Sequence, residues 1–135
     1  MILLDTNIFL ELLLDQRRAA ECEELLELIS KGEIEATVTH FAVHAVEAAL
    51  VTGEKLEAFL RNLEHCVGLY VYDTNLSDEM AIALMTKRIG LDFDDTLQYY
   101  VAKKVGVEAI VSFDDHFDGL DLQRVEPHAL LHVGK

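Results

Sequence analysis

The sequence predicts an α/β fold, with a central, mostly parallel sheet of four to five strands and helices on both faces. Three observations predict it. Short, continuously apolar runs such as "MILLD" alternate with longer segments of helical periodicity. The first run shows no polar alternation, as expected of a strand covered on both faces. One proline and seven glycines in 135 residues leave little chain for linkers, so a single domain over residues 1–135 is expected.

The elements follow in order. "MILLD" reads as the first strand, ending at Asp5. "NIFLELLLD" reads as a helix capped by Thr6 or Asn7. "RRAAECEELLELISKG" is a second helix, with Ala20, Leu25, Leu28 and Ile29 near one stripe and Gly32 as its stop. "IEATVTH" is a second strand. "FAVHAVEAALVTG" is a third helix, ended at Gly53. "EKLEAFLRNLEHC" is a fourth, with Leu56, Phe59, Leu60 and Leu63 on one face. "VGLYVYD" is a third strand, and "LSDEMAIALMTKRIG" a fifth helix capped by Ser77. "DDTLQYYVAKKVG" is a sixth helix, capped by Asp94 and stopped by Gly106, with Asp92 as loop surface before it. "EAIVSFD" is a fourth strand and "LQRVEP" a short fifth. Strands alternating with helices favour parallel pairing.

Charge narrows the function. With 25 acidic against 11 basic residues the formal charge is −14, which excludes binding nucleic acid by bulk electrostatics. It permits a cation site or a basic partner. No apolar run approaches the roughly 20 residues that span a bilayer. No basic leader precedes an apolar segment, so a soluble cytoplasmic protein is expected. Cys22 and Cys66 form no C-x-x-C motif and read as buried, reduced thiols, with a disulfide between them as the alternative.

Ligands of parallel sheets tend to bind beyond the carboxyl ends of the strands. Asp5 ends the first strand and Asp114 the fourth, while Asp94 and Asp95 open the helix just before the fourth. If the first and fourth strands are neighbours, these carboxylates meet at one edge. Crowded carboxylates repel unless protonated or neutralised, and hard divalent ions such as Mg²⁺ or Mn²⁺ are natural neutralisers. Such a site can activate water and stabilise charge in phosphodiester hydrolysis. Each acid also has a purely local reading. Asp5 can turn the chain and cap the first helix. Asp114 and Asp115 in "SFDDHFDG" can be turn residues. Asp94 and Asp95 suit a helix start. Phe93, Leu97, Tyr100 and Val101 mark the apolar face of the sixth helix, and Asp95 points away from it.

At these residues the chain resembles a PIN domain, the fold of the toxin ribonucleases of VapBC-type toxin–antitoxin pairs. "LLDTNIFL" is similar to the family's opening D-T-N motif. "FDDTLQYYVAKKVGVEAIVSFDDHFDGL" resembles its closing region, a helix-start Asp followed by a strand and a Thr/Ser-x-Asp-x-x-Phe motif, here Ser112 to Phe117. The resemblance covers nearly the whole chain. It implies a three-layer fold and metal-dependent RNA cleavage from a pocket of about four acids: Asp5, Glu47, Asp95 and Asp114. Asp5, Asp95 and Asp114 would hold Mg²⁺ or Mn²⁺, with Thr6, Asn7 and Ser112 in support. Glu47 is the sole acid in its helix before Gly53 and would position the ion or the attacking water. Thr96 stands where Ala is common, and His116 where an acid often precedes the Phe.

His40, His44 and Glu47 lie at i, i+4 and i+7 on one helix stripe. The H-E-x-x-H zinc pattern is absent, so His44 is expected to hydrogen-bond beside Glu47. Arg17-Arg18, Lys87-Arg88 and Lys103-Lys104 are the candidate RNA contacts. Between Ile8 and Leu14 only Glu11 is polar, which suits either a deeply buried helix or an interface. The resemblance implies two partners, a second copy in a homodimer and a protein antitoxin. A PIN-like binding module without activity is the alternative. A phosphatase of the haloacid-dehalogenase type needs a second Asp where Asn7 stands.

Overall fold

The computed structural model describes residues 1–50 and 53–131. Its five strands are β1 (Ile2–Leu4), β2 (Ala36–Thr39), β3 (Leu69–Tyr72), β4 (Ala109–Val111) and β5 (Gln123–Val125), in the order β3-β2-β1-β4-β5. Every neighbouring pair is parallel. The register sets Leu3 beside Thr37 on one side and Ile110 on the other. β1 and β4 are therefore neighbours, so Asp5 and Ser112 leave the sheet side by side.

Successive strand residues face opposite ways, and each face builds its own core. Ile2 and Leu4 pack with Ile8 and Phe9 of α1 (Thr6–Leu13), Leu25 and Ile29 of α2 (Ala19–Ser30), and Val43 and Val46 of α3 (His40–Ala49). Phe59 of α4 (Gly53–Glu64) and Leu131 of the short α7 (Pro127–Leu131) join them. Leu3 and Ile110 face the other way, against Ile82 of α5 (Leu76–Ile89) and Leu97 and Val101 of α6 (Phe93–Val105). This is the expected three-layer arrangement.

Helix starts depart from the sequence reading in a consistent way. The cap of α5 is Asn75, not Ser77. Its side chain accepts from the Asp78 N–H, and the Asp78 carboxylate accepts from the Asn75 N–H, a reciprocal capping box. The cap of α6 is Asp92, not Asp94, and Asp92 is not idle loop surface: its Oδ1 accepts from the Asp95 N–H at 2.9 Å. α1 is capped by Asp5 itself rather than by Thr6 or Asn7. In each case the helix begins earlier than the apolar pattern does, because a cap lies outside the buried stripe. Gly53 opens α4 instead of closing α3, which ends at Ala49 with extended Leu50 as its cap. Val51 and Thr52, within the expected third helix, lie outside the described residues. Gly106 does stop α6, at φ 82°, a left-handed conformation that glycine adopts freely.

Both thiols are free. Cys22 is buried, and desolvation pushes its pKa up to about 12. Cys66 is only half-buried. Among the described residues no helix is long and apolar enough to cross a membrane.

α5 and α6 are clamped by Asp78. Besides its capping role, this buried carboxylate accepts from Tyr100 Oη at 2.8 Å and from Lys104 Nζ at 2.9 Å. The Lys104 bond, the Asn75 N–H and the Tyr100 hydroxyl hold its pKa down from 3.8 to about 2. A depressed carboxylate stabilises the fold above its unfolded pKa and loses that effect as pH falls through the folded value. Asp78→Asn is expected to lower the melting temperature at pH 7. The gap to wild type should narrow below pH 3.8 and close near pH 2, as followed by circular dichroism across an acid series.

Candidate active site

The site starts at the end of β1. Asp5 is 6% exposed and extended at φ −75°, ψ 155°, so its side chain turns back over the first turn of α1. Three donors meet it. Oδ1 accepts from the Thr6 N–H at 2.7 Å and from Gln98 Nε2 at 2.8 Å, and Oδ2 accepts from Ser112 Oγ at 2.6 Å. A buried carboxylate needs such partners to stay ionised. Both sequence readings of Asp5 therefore describe the same side chain: it caps a helix and it lines the edge of the sheet.

Ser112, fully buried just beyond β4, is the hub of this network. While donating to Asp5 it accepts from Asn7 Nδ2 at 3.2 Å and from the Asp114 N–H at 2.9 Å. Asn7 and Ser112 thus hold the start of the chain to the loop after β4. Thr6 takes part through its backbone N–H. Asp114 caps the 3₁₀ turn Asp115–Phe117, its Oδ1 accepting from the His116 N–H at 3.0 Å.

Asp95 enters from the first turn of α6. Its N–H is satisfied by the Asp92 cap, so its side chain is left to face the edge. His116 Nδ1 lies 3.0 Å from Asp95 Oδ2 and 3.0 Å from Asp114 Oδ2, bridging the two carboxylates. Burial first, then the charge of Asp92, pushes the Asp95 pKa upward, with Asp5 adding to it. The hydrogen bond to Asp95 and the charge of Asp114 push the His116 pKa upward in turn. Negative charge is thus in surplus here, and an imidazole supplies part of the balance. Asp94 is exposed and its side chain forms no hydrogen bond among the described residues, which separates it from Asp95.

The structure therefore gathers Asp5, Asp95 and Asp114 at one edge, with Asn7 and Ser112 between them. Glu47 is hydrogen-bonded away from these three, on its own helix. Its Oε1 lies 2.7 Å from His44 Nδ1, the pairing expected beside it. His40 stacks on His44 at 4.4 Å between ring centroids and bonds Asp73 instead.

Gln98 escaped the sequence reading. It is 4% exposed, and its Oε1 is buried without a hydrogen-bond partner. Flipping the amide would set that oxygen against the Asp5 carboxylate, so the donor orientation is fixed. The available signal was spacing: three residues after Asp95, Gln98 shares its side of the helix. The candidate RNA contacts fare differently. Lys104 is bound to Asp78, and Lys103 to Asp121 at 2.7 Å. Arg18 pairs with Glu126 and Glu21, and its guanidinium lies 4.2 Å over the Phe113 ring. These cations already have anionic partners.

A family model described as PIN domain matches residues 1–116. The chain belongs to the PIN-domain family. Solved structures share the fold. A toxin–antitoxin complex from Klebsiella pneumoniae superposes with a TM-score of 0.72 at 16% identity, covering 94% of this chain and 98% of that one. The VapC20 toxin of Mycobacterium tuberculosis, described as cleaving the sarcin–ricin loop, gives 0.72 at 14% identity over 93% and 98%. FitAcB from Neisseria gonorrhoeae gives 0.61 at 20% identity over 95% and 99%. No curated protein matches the chain in sequence. The likeness to VapC-like toxins noted from the sequence thus extends to the fold. In this PIN domain the acids stand at the edge where parallel sheets generally bind ligands.

Gln98→Leu tests the Asp5 network. Losing one donor to a buried carboxylate is expected to cost about 1–3 kcal/mol in urea unfolding. In an Asp5→Asn background the cost should largely vanish, because the two residues act as one unit. An equal loss in both backgrounds would assign Gln98 to packing alone.

Proposed function

We propose that this PIN domain is a metal-dependent endoribonuclease, the toxin of a toxin–antitoxin pair. The observation that carries the reading is the meeting of Asp5, Asp95 and Asp114, drawn from opposite ends of the chain to one sheet edge. The donor set fits a hard divalent ion: carboxylate oxygens in surplus, no thiolate, and one of them raised in pKa by burial and by neighbouring acids. Asp5, Asp95 and Asp114 would hold Mg²⁺ or Mn²⁺, directly or through water. When bound, such an ion supplies Lewis acidity toward phosphate and lowers the pKa of a bound water.

The chain's own residues do the rest. Ser112 and Gln98 fix the Asp5 carboxylate in one orientation, and Asn7 fixes Ser112. Glu47 is the residue we assign to orienting water or the ion. His116 holds Asp95 and Asp114 together and would release them to a stronger cation. With Lys103 and Lys104 committed to carboxylates, RNA affinity rests on the metal–phosphate contact more than on basic residues.

An antitoxin fits the opposite layer. Phe9, Leu12, Leu13, Leu26, Phe59 and Leu63 line an apolar groove between α1, α2 and α4. A net charge of −14 favours a basic segment in the molecule that covers it. The resemblance to toxin–antitoxin structures supports this partner. An inactive PIN-like binding module is the second reading, favoured by Glu47 being held by His44 on its own helix.

Calorimetric Mn²⁺ titration paired with cleavage of a mixed RNA pool separates the two. Asp5→Asn and Asp95→Asn should each weaken Mn²⁺ binding and cleavage by roughly 100-fold or more, while Asp94→Asn leaves both near wild type. Metal binding without cleavage would favour the binding module. Cleavage that survives Asp5→Asn would remove the assignment. His116→Ala should tighten Mn²⁺ several-fold by removing the internal cation; weaker binding would make His116 a ligand.

A further inference from the structure

The first two turns of α3 carry a pair of histidines on one stripe. His40 and His44 stand four residues apart, the spacing at which a helix presents two imidazoles to one zinc ion in H-E-x-x-H motifs. This chain lacks only the Glu after the first histidine, which serves as a base in those motifs and not as a ligand; Phe41 takes its place. The rings lie side by side, with 4.4 Å between centroids and 16° between planes. Both are open to solvent, their side chains 42% and 64% exposed.

Each ring is held from behind by an acid. His40 Nδ1 lies 2.5 Å from Asp73 Oδ1, and His44 Nδ1 lies 2.7 Å from Glu47 Oε1. An ionised carboxylate only accepts, so each Nδ1 carries the proton. In the neutral ring Nε2 then keeps its lone pair. Among the described residues neither Nε2 has a hydrogen-bond partner. Metal-ligating histidines have this arrangement: one ring N–H goes to a carboxylate and the other nitrogen binds the ion. His65 and His116 differ. His65 stands apart with its Nδ1 on the Arg61 carbonyl, and the His116 Nδ1 is taken up by Asp95 and Asp114.

We propose that His40 and His44 form a binding site for a transition-metal ion, Zn²⁺, Ni²⁺ or Cu²⁺, separate from the acidic edge. The ion sits between the two Nε2 atoms, and water completes its shell. Two nitrogens on one tetrahedral ion at about 2.0–2.1 Å stand roughly 3.4 Å apart. The present ring spacing is close to that, and two exposed side chains can lean together to reach it. Imidazole nitrogen suits these ions, whereas Mg²⁺ and Mn²⁺ prefer carboxylate oxygen. Ligand chemistry therefore divides the metals between the two sites. Asp73 and Glu47, in a chain at −14, offset the charge of the ion. Once bound, the ion joins the first two turns of α3 and, through His40 and Asp73, ties them to the end of β3. The site does not depend on nuclease activity, because its readout is metal binding.

The experiment is calorimetric titration of the untagged full chain with Ni²⁺ alone. The background is His116→Ala with Asp114→Asn, which removes the competing ligands of the acidic edge. Ni²⁺ binding should persist there. Adding His40→Gln or His44→Gln should weaken it by roughly 100-fold or more, and Asp73→Asn by roughly 10-fold, through loss of the outer partner. The Cu²⁺ electron paramagnetic resonance spectrum of the same background should show two nitrogen ligands. Ni²⁺ should raise its melting temperature, and should no longer do so once both histidines are Gln. The metal-free melting curve should be the same with and without these histidines, since both are surface side chains. No Ni²⁺ binding up to about 1 mM, binding that survives His40→Gln with His44→Gln, or a Cu²⁺ spectrum with a single nitrogen would overturn the proposal.

Discussion

The buried carboxylate of Asp5 is the constraint around which the rest is arranged. β1 occupies the centre of the sheet, so its last residue emerges where solvent cannot reach it freely. A charge there needs fixed donors. One comes from its own helix, one from the loop after β4, and one from the middle of α6. These donors tie three separate segments to a single side chain. The sheet order serves this need: only with β4 beside β1 does Ser112 come within reach of Asp5.

Around that anchored charge the site is held out of electrostatic balance. Asp92 satisfies the backbone of α6, which leaves Asp95 free to turn inward against its preference for solvent. His116 answers with its ring, linking Asp95 to Asp114. The arrangement resembles a lock held by a removable key. The histidine bridges the two carboxylates without burying them fully, so the edge stays open to solvent.

Much of this was legible in the sequence. The alternation of buried strands and amphipathic helices is a periodic signal, and periodicity located every strand. Strand order predicts that Asp5, Asp114 and the Asp94–Asp95 pair converge at one edge, whereas the choice of Asp95 over Asp94 rests on the family resemblance. What failed was local. Ser77 and Asp94 look like caps because each stands next to an apolar pattern, whereas Asn75 and Asp92 do the capping from outside it. Gly53 was read as a stop because glycine at a helix C-terminus is common, but nothing in composition distinguishes that from a start. Gln98 was invisible for a different reason. An amide in a helix usually faces water, and only the tertiary position of Asp5 turns it inward. Lys103 and Lys104 looked like free basic surface because their partners, Asp121 and Asp78, are distant in sequence.

The position of β1 has a consequence in time as well as in space. Its two neighbours are β2, which follows within forty residues, and β4, which does not begin until Ala109. During synthesis the first half of the sheet can pair early, while the Asp5 carboxylate waits without Ser112 or Gln98. Closing a loop of this length costs more entropy than forming a local helix, so β4 joins the sheet late. A growing chain that has not reached β4 therefore lacks the partners of Asp5 at the acidic edge. The acidic edge is complete only once synthesis has passed Asp114.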